Sequence, residues 1–377
     1  MMVPPAIHSA MQSAVEDGVF PGAVLAVRVR SKLQFIEVSG RLSSGATSPP
    51  VQASTLYDLA SLTKPLVTVT SVLLLVQRAK VRLDDPIQHI LAELTGTAVG
   101  QATMQDLLTH SSGLPGWRPL YERLAAKGMS PDRVEPASVR QAVLRLIREE
   151  PMVYPRGARS LYSDLGFILL GLIVERLTGM MLDRWYRETV TGPLRAAPLL
   201  FSPIAAATSG AQAPGIDPVA IAPTEYDSWR NRMLQGEVHD ENAAALGGIA
   251  GHAGLFGTAE AVLALSGAWL QAHHGEPSIL DPGLVRRFAA RQQEIPQSSW
   301  ALGWDTPTAP SSSGAFFSAS SFGHLGYTGT SLWVDPVRDL EVALLSNRVH
   351  PSRRNEKIRE FRPRIHDLVV QECAPAR

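Results

Sequence analysis

Cysteine is almost missing from this chain of 377 residues: Cys373, near the C-terminus, is the only one. An internal disulfide is therefore excluded, and a cysteine nucleophile or a cysteine-based metal site in the body of the fold is argued against. Charge of one sign is missing too. Lys+Arg and Asp+Glu each number 35, and the pI is near 7.2, so no electrostatic footprint for nucleic acid or an acidic membrane is visible. The longest apolar run, about Leu66 to Val76, is much shorter than the roughly 20 residues that span a bilayer. Met1 to Gln12 has neither a basic start nor a long apolar core, so no secretory leader is expected. The reading is a soluble cytoplasmic protein, or a periplasmic or secreted one if a leader has been removed. No Gly-x-Ser-x-Gly elbow occurs, which disfavours a Ser-His-Asp hydrolase of that type. No internal repeat is apparent.

Lysine is scarce as well (Lys32, Lys64, Lys80, Lys127 and Lys357), and among these only Lys64 has a serine three positions earlier. Residues three apart on a helix share a face, so the spacing places the Lys64 amine beside the Ser61 hydroxyl. A helix start also offers unpaired N–H groups and a partial positive charge, which favour an oxyanion. A serine hydroxyl is a poor nucleophile until something takes its proton, and Lys64 is a candidate for that task. Pro65 lacks the N–H that would bond the carbonyl of residue 61, so Ser61 is expected in the first turn or at a local irregularity. Leu66, Val67, Val69, Val72, Leu73, Leu74, Leu75 and Val76 point all round the axis, as in a helix buried by other elements.

Along the chain, Ile7 to Val15 has helical spacing, and Gly22 to Val29 with Leu33 to Val38 reads as an antiparallel hairpin. Thr103 and Asp106 have capping-box spacing. Further helices are expected over Ser138 to Arg148, Phe167 to Val174 with Gly179 as a stop, Ala259 to Ala272 and Gly283 to Gln292. Ala196 to Pro223 reads as a long surface loop of the lid or binding type. Strand character returns at Leu332 to Val334 and Leu340 to Leu345, before a C-terminal amphipathic helix containing Pro363. Strands at both ends with helices between give an α/β (α+β) fold, an antiparallel sheet flanked by helices with a large inserted helical region. Residues 1–62 and 300–377 are expected to form the sheet domain and 63–299 the helical region, with Ser61 at the junction, where pockets tend to form.

Three stretches stand in order: Ser61-Leu62-Thr63-Lys64, Tyr162-Ser163-Asp164 and His324-Leu325-Gly326. Together with Leu107-Leu108-Thr109-His110-Ser111-Ser112-Gly113-Leu114 and Phe322 to Gly329, they resemble the class C β-lactamase family of serine hydrolases over nearly the whole chain. That family includes penicillin-binding DD-peptidases, D-aminopeptidases and carboxylesterases of β-lactamase/transpeptidase-like fold. The resemblance implies Ser61 as the acylated nucleophile, Lys64 as its partner, and Tyr162 as general base alone or together with Lys64. It implies an oxyanion hole from the Ser61 and Tyr327 amides, and a substrate-facing strand that includes His324 and Gly326. A tyrosine acting as phenolate near neutral pH needs nearby positive charge, which Lys64 would supply.

Two positions depart from the family pattern. Asp164 stands where the family usually has Asn; an ionised Asp accepts only, and is expected either to pair with Lys64 or to cap the next helix. His324 stands where most class C β-lactamases have Lys, and is a pH-dependent cation for a substrate carboxylate. Both argue against efficient β-lactam hydrolysis. A metal reading of His239, Asp240, Glu241 and His252 is disfavoured, since consecutive residues diverge and no His-x-x-x-His spacing occurs. Asp240 is expected to cap a short helix, and the glycines of Gly247 to Gly254 to let backbone pass close to the pocket or the Ser61 helix. His110 and His252 read as structural hydrogen-bonders. The expected function is hydrolysis of a small ester, amide or peptide through acyl-Ser61, esterase or D-peptidase in type, with no metal and no cofactor. The alternative is a catalytically silent penicillin-binding or peptide-sensing protein. Specificity is expected to lie around Ala196 to Glu225 and Ser311 to Ser321.

Overall fold

The computed structural model describes residues 2–129, 134–196, 198–201 and 220–374. Its centre is a five-stranded antiparallel sheet built from Gly22–Val29 (β1), Lys32–Gly40 (β2), Phe322–Leu325 (β3), Ser331–Asp335 (β4) and Leu340–Ser346 (β5). The strand order is β2-β1-β5-β4-β3. The two ends of the chain meet where β1 pairs with β5, Ala23 opposite Ser346 through Val29 opposite Leu340. β1 and β2 form the expected hairpin, turning through Arg30 and Ser31, both at positive φ as a tight hairpin turn requires.

The apolar run of β1 follows from burial on both faces. Ala23, Leu25 and Val27 join Val342 and Leu344 in one core with residues of the N-terminal helix Pro5–Glu16 (α1) and the C-terminal helix Ile358–Cys373. Val24 and Ala26 point the other way, into a second and larger core with Ala343, Leu345 and the helical region. Period-two alternation thus serves two cores at once.

The Ser61 segment enters this larger core. A short strand, Tyr57–Asp58, pairs with Leu255–Gly257, which also pairs with Leu199–Phe201. A 3-10 turn, Ala60–Leu62, then runs into a π-helical stretch, Lys64–Val69, and an α-helix, Thr70–Gln77 (α2). The irregularity demanded by Pro65 is therefore real, and it sits beside Ser61. Over Ala60–Gln77 the chain is long and apolar enough for a membrane helix, yet 83% of that stretch is buried inside the protein. It is a core helix. The helix Asp164–Thr178 (α3) stops at Gly179 in the left-handed conformation, as its sequence requires. Most of the expected lid, at 197 and 202–219, lies outside the described residues.

Candidate active site

Ala60, just before Ser61, is held at φ +48, a sparsely populated region for a residue with a Cβ. Asp58 holds it there: one carboxylate oxygen accepts the Ala60 N–H at 2.8 Å and the other accepts the His239 N–H at 2.6 Å. Thr63 Oγ1 donates to the Ala60 carbonyl at 2.6 Å. From the edge of the sheet, Thr328 and Thr330 hydroxyls donate to the Asp58 and Leu59 carbonyls at 2.7 and 3.0 Å. The serine is thereby fixed against the end of β3. A Cβ at Gly326 would meet the Leu59 carbonyl at 2.6 Å, so only glycine fits this crossing.

Lys64 is fully buried, and its Nζ makes three contacts: Ser61 Oγ at 3.1 Å, Asp164 Oδ1 at 2.7 Å and the His252 carbonyl at 3.1 Å. Its ammonium also lies 4.7 Å from the centre of the Tyr162 ring. The second of the alternatives for Asp164 is not used, because Ser163 is the cap, its Oγ accepting the Gly166 N–H at 3.3 Å. The His252 carbonyl reaches Lys64 because Gly251 passes close against α3. A Cβ there would lie 2.8 Å from the Gly171 nitrogen and would collide with the Phe167 carbonyl. Thr68 Oγ1 donates to the Gly251 carbonyl at 2.6 Å and ties the same segment to the Ser61 helix.

Both candidate bases hold their protons at rest. Burial disfavours the Lys64 ammonium, but Asp164 leads the influences that offset it, and its pKa is raised. Burial likewise pushes the Tyr162 phenol up, and the Lys64 charge does not reverse this. The expected phenolate is therefore not the resting form: Asp164 already neutralises the cation that would have favoured it. His324 is also corrected. Burial, then Lys64, lowers it to about 3, so near neutral pH it is an uncharged ring and cannot be a cation for a carboxylate. Its Nδ1 lies 2.8 Å from the Leu325 carbonyl, and its buried Nε2 has no partner among the described residues. Gly326 spends its polar groups on the protein, donating to Thr330 and accepting from Arg362 at 2.7 Å each. By contrast, neither the Ser61 nor the Tyr327 amide donates to a backbone carbonyl among the described residues.

Ser61, Tyr162 and Tyr327 line two cavities at once. One, about 330 Å3, adds Trp300, Asp305, His324, Arg348, Arg359 and Arg362. The other, about 280 Å3, adds Trp117, Asp164, Asp240, Glu241, His252 and Arg353. A larger cavity of about 790 Å3 lies away from Ser61, between α1, the hairpin and residues 350–355. No motif marks the arginines in advance. Arg362 is buried in the C-terminal helix, and its Nη2 donates to the Gly326 and Thr330 carbonyls at 2.7 Å. Among the described residues no carboxylate forms an ion pair with it, and burial, then Arg348 and Arg359, lowers it to about 9. Residues Ser311 to Ser321, expected near the pocket, line neither cavity; Ala315 and Ser318 bond instead to Asp367 and Asp335.

Each of the four residues of the disfavoured metal reading has a partner within the protein. His239 Nε2 lies 2.8 Å from Glu225, and His252 Nε2 lies 2.8 Å from Asp240. Asp240 caps Glu241–Ala245 through the Ala243 N–H at 2.7 Å, and Glu241 pairs with Arg353 at 2.7 Å.

A family model described as Beta-lactamase matches residues 7–363. A protein of Escherichia coli (strain K12), provisionally named a D-alanyl-D-alanine carboxypeptidase, is 32% identical over 80% of this chain and 71% of its own length. A Salmonella typhimurium protein with the same provisional name is 30% identical over 82% of this chain and 73% of its own. Among solved structures, EstCE1, described as a hydrolase with promiscuous acyltransferase activity, superposes with a TM-score of 0.71. It is 20% identical and covers 95% of this chain and 97% of its own. Simvastatin synthase from Aspergillus terreus gives a TM-score of 0.72 at 20% identity, covering 98% of both chains. At such identities the structural likenesses speak for the fold.

Proposed function

From the premise that this chain belongs to the β-lactamase family of serine hydrolases, we propose that it hydrolyses an ester or amide through an acyl-Ser61 intermediate, with a D-peptide-like substrate carrying a free carboxylate favoured. The carrying observation is the buried Lys64 amine, 3.1 Å from Ser61 Oγ and beneath the Tyr162 ring. Ser61 Oγ bonds to the substrate carbonyl carbon while its proton passes into the Lys64–Tyr162 pair. The oxyanion sits between the Ser61 and Tyr327 amides, which are free to donate to charge that appears only in the transition state. The pair then returns a proton to the leaving oxygen or nitrogen as the tetrahedral species collapses. Water hydrolyses the ester bond to Ser61 by the same steps. Since both members of the pair are protonated at rest, the competent form has lost one proton, and that proton belongs to the pair as a unit.

Substrate preference rests on charge. Arg348, Arg359 and Arg362 line the cavity beside His324, against Asp305 and Glu356. With His324 uncharged, recognition of a carboxylate falls to these arginines, whose planar forks suit it. The test is incubation with p-nitrophenyl acetate, nitrocefin and a D-alanyl-D-alanine peptide with free or amidated C-terminus, followed by mass measurement on Ser61. Turnover of the free-acid peptide above its amide, lost in Ser61→Ala, supports the reading. Equal rates for acid and amide overturn the carboxylate preference. Binding with neither turnover nor added mass makes the protein a sensor rather than an enzyme.

A further inference from the structure

We propose that His110 is the positioning residue for Tyr162, holding the phenol in place by accepting hydrogen bonds from the amides on both sides of it. The Leu161 N–H donates to the His110 carbonyl at 2.9 Å, and the Ser163 N–H donates to His110 Nδ1 at 3.0 Å. Tyr162 is thus bracketed by a single residue. The Tyr154 hydroxyl donates to the same carbonyl at 2.9 Å, adding a third tie between His110 and this segment. The His110 and Tyr162 rings are also in contact, with centroids 4.7 Å apart. Phe167 and Trp300 enclose the imidazole further, at 5.1 and 4.4 Å.

The clamp is rigid at its own end. His110 follows the capped helix Met104–Leu108, and its N–H donates to the Leu107 carbonyl at 3.2 Å. Its backbone sits at φ +55, so the carbonyl and the ring can both face the 154–163 segment. The geometry also fixes the tautomer. A ring nitrogen that accepts an amide N–H carries no proton, so the hydrogen is on Nε2, which is buried without a partner among the described residues. An unpartnered buried N–H costs about 1–3 kcal/mol, and a leucine of similar size would avoid that cost but could not accept the Ser163 amide. Histidine here supplies an acceptor.

This inference rests on the reading of Tyr162 as a member of the acid–base pair, and its test separates the two. His110→Asn retains a side-chain acceptor near the Nδ1 position, and His110→Gly removes it; both residues tolerate positive φ. With p-nitrophenyl acetate, His110→Gly is expected to lose about 100-fold in kcat with KM within about twofold, the scale of a displaced catalytic group. His110→Asn is expected to recover to within about tenfold of the native rate. Hydrogen exchange at the Ser163 amide is read in parallel: protection is retained in Asn and lost in Gly. If the glycine chain does not fold, His110→Ser, too short to reach the amide, takes its place. Equal rates in Asn and Gly, or a protected Ser163 amide in Gly, overturn the proposal. If the native protein neither turns over ester nor gains mass on Ser61, the reading of Tyr162 fails, and exchange alone decides whether His110 clamps the segment.

Discussion

Replacing Asp164 with asparagine removes a charge from the buried pair while leaving an oxygen where Oδ1 stands. Lys64 Nζ and Asp164 Oδ1 are 2.7 Å apart, an attraction of about 6 kcal/mol at an effective dielectric of about 20. Asparagine keeps part of this as a hydrogen bond. Asp164 is also partly open to water, its side chain 17% exposed, so about half of the attraction, about 3 kcal/mol, is a reasonable loss. At 1.36 kcal/mol per unit this is about two pH units. The sign is set by the causes of the shifts. Asp164 is the leading influence that raises Lys64, and it also raises Tyr162, so its removal lowers the proton affinity of both. The rising limb of kcat against pH for p-nitrophenyl acetate is therefore expected to move down by about two units in Asp164→Asn. The variant should reach its own plateau at lower pH than the native protein, even if that plateau is lower. A limb that stays in place or moves upward would refute this account of the pair.

Other substitutions separate the remaining parts of the argument. Arg362→Gln should raise KM for the free-acid peptide at least tenfold, leaving KM for p-nitrophenyl acetate within twofold, as steady-state kinetics would read; the tenfold corresponds to about 1.4 kcal/mol. Gly251→Ala places a Cβ against the Phe167 carbonyl and Gly171, and should cost about 1–3 kcal/mol in denaturant unfolding. It should also lower kcat by displacing the His252 carbonyl from Lys64. Glu341 is a core carboxyl far from the chemistry; burial pushes it from 4.5 up to about 7, with Arg28 and Ser266 only partly opposing. An acid raised in the native state favours folding below its unfolded pKa, and that contribution fades as pH rises through about 7. Native stability should fall by about 3 kcal/mol between pH 4.5 and 8 on this account, and Glu341→Gln should flatten the profile, measured by urea unfolding across that range.

Local chemistry is legible in the amino-acid order. The Ser61 and Lys64 spacing placed their side chains on one turn, and Pro65 required the irregular start that appears as a 3-10 turn and a π-helical stretch. The hairpin, the Thr103 capping box and the Gly179 stop were legible for the same reason: each is a contact within a few residues, and side-chain type alone decides it. The small sheet joining Tyr57–Asp58 to Leu255–Gly257 was not legible, because strands of two or three residues carry no periodic signal.

The amino-acid order by itself therefore determined the two-faced strands of the sheet, the buried Ser61 helix and the nearness of its serine and lysine. Tertiary structure alone decided the charge in the cleft. Lys64 stays an ammonium because Asp164 arrives from 100 residues away, and His324 is neutral because burial, not residue type, sets its proton affinity. The cations beside it, Arg348, Arg359 and Arg362, come from the last segment of the chain. Proton affinity answers to desolvation and to charges brought close by packing, and neither is a property of neighbouring residues in the chain.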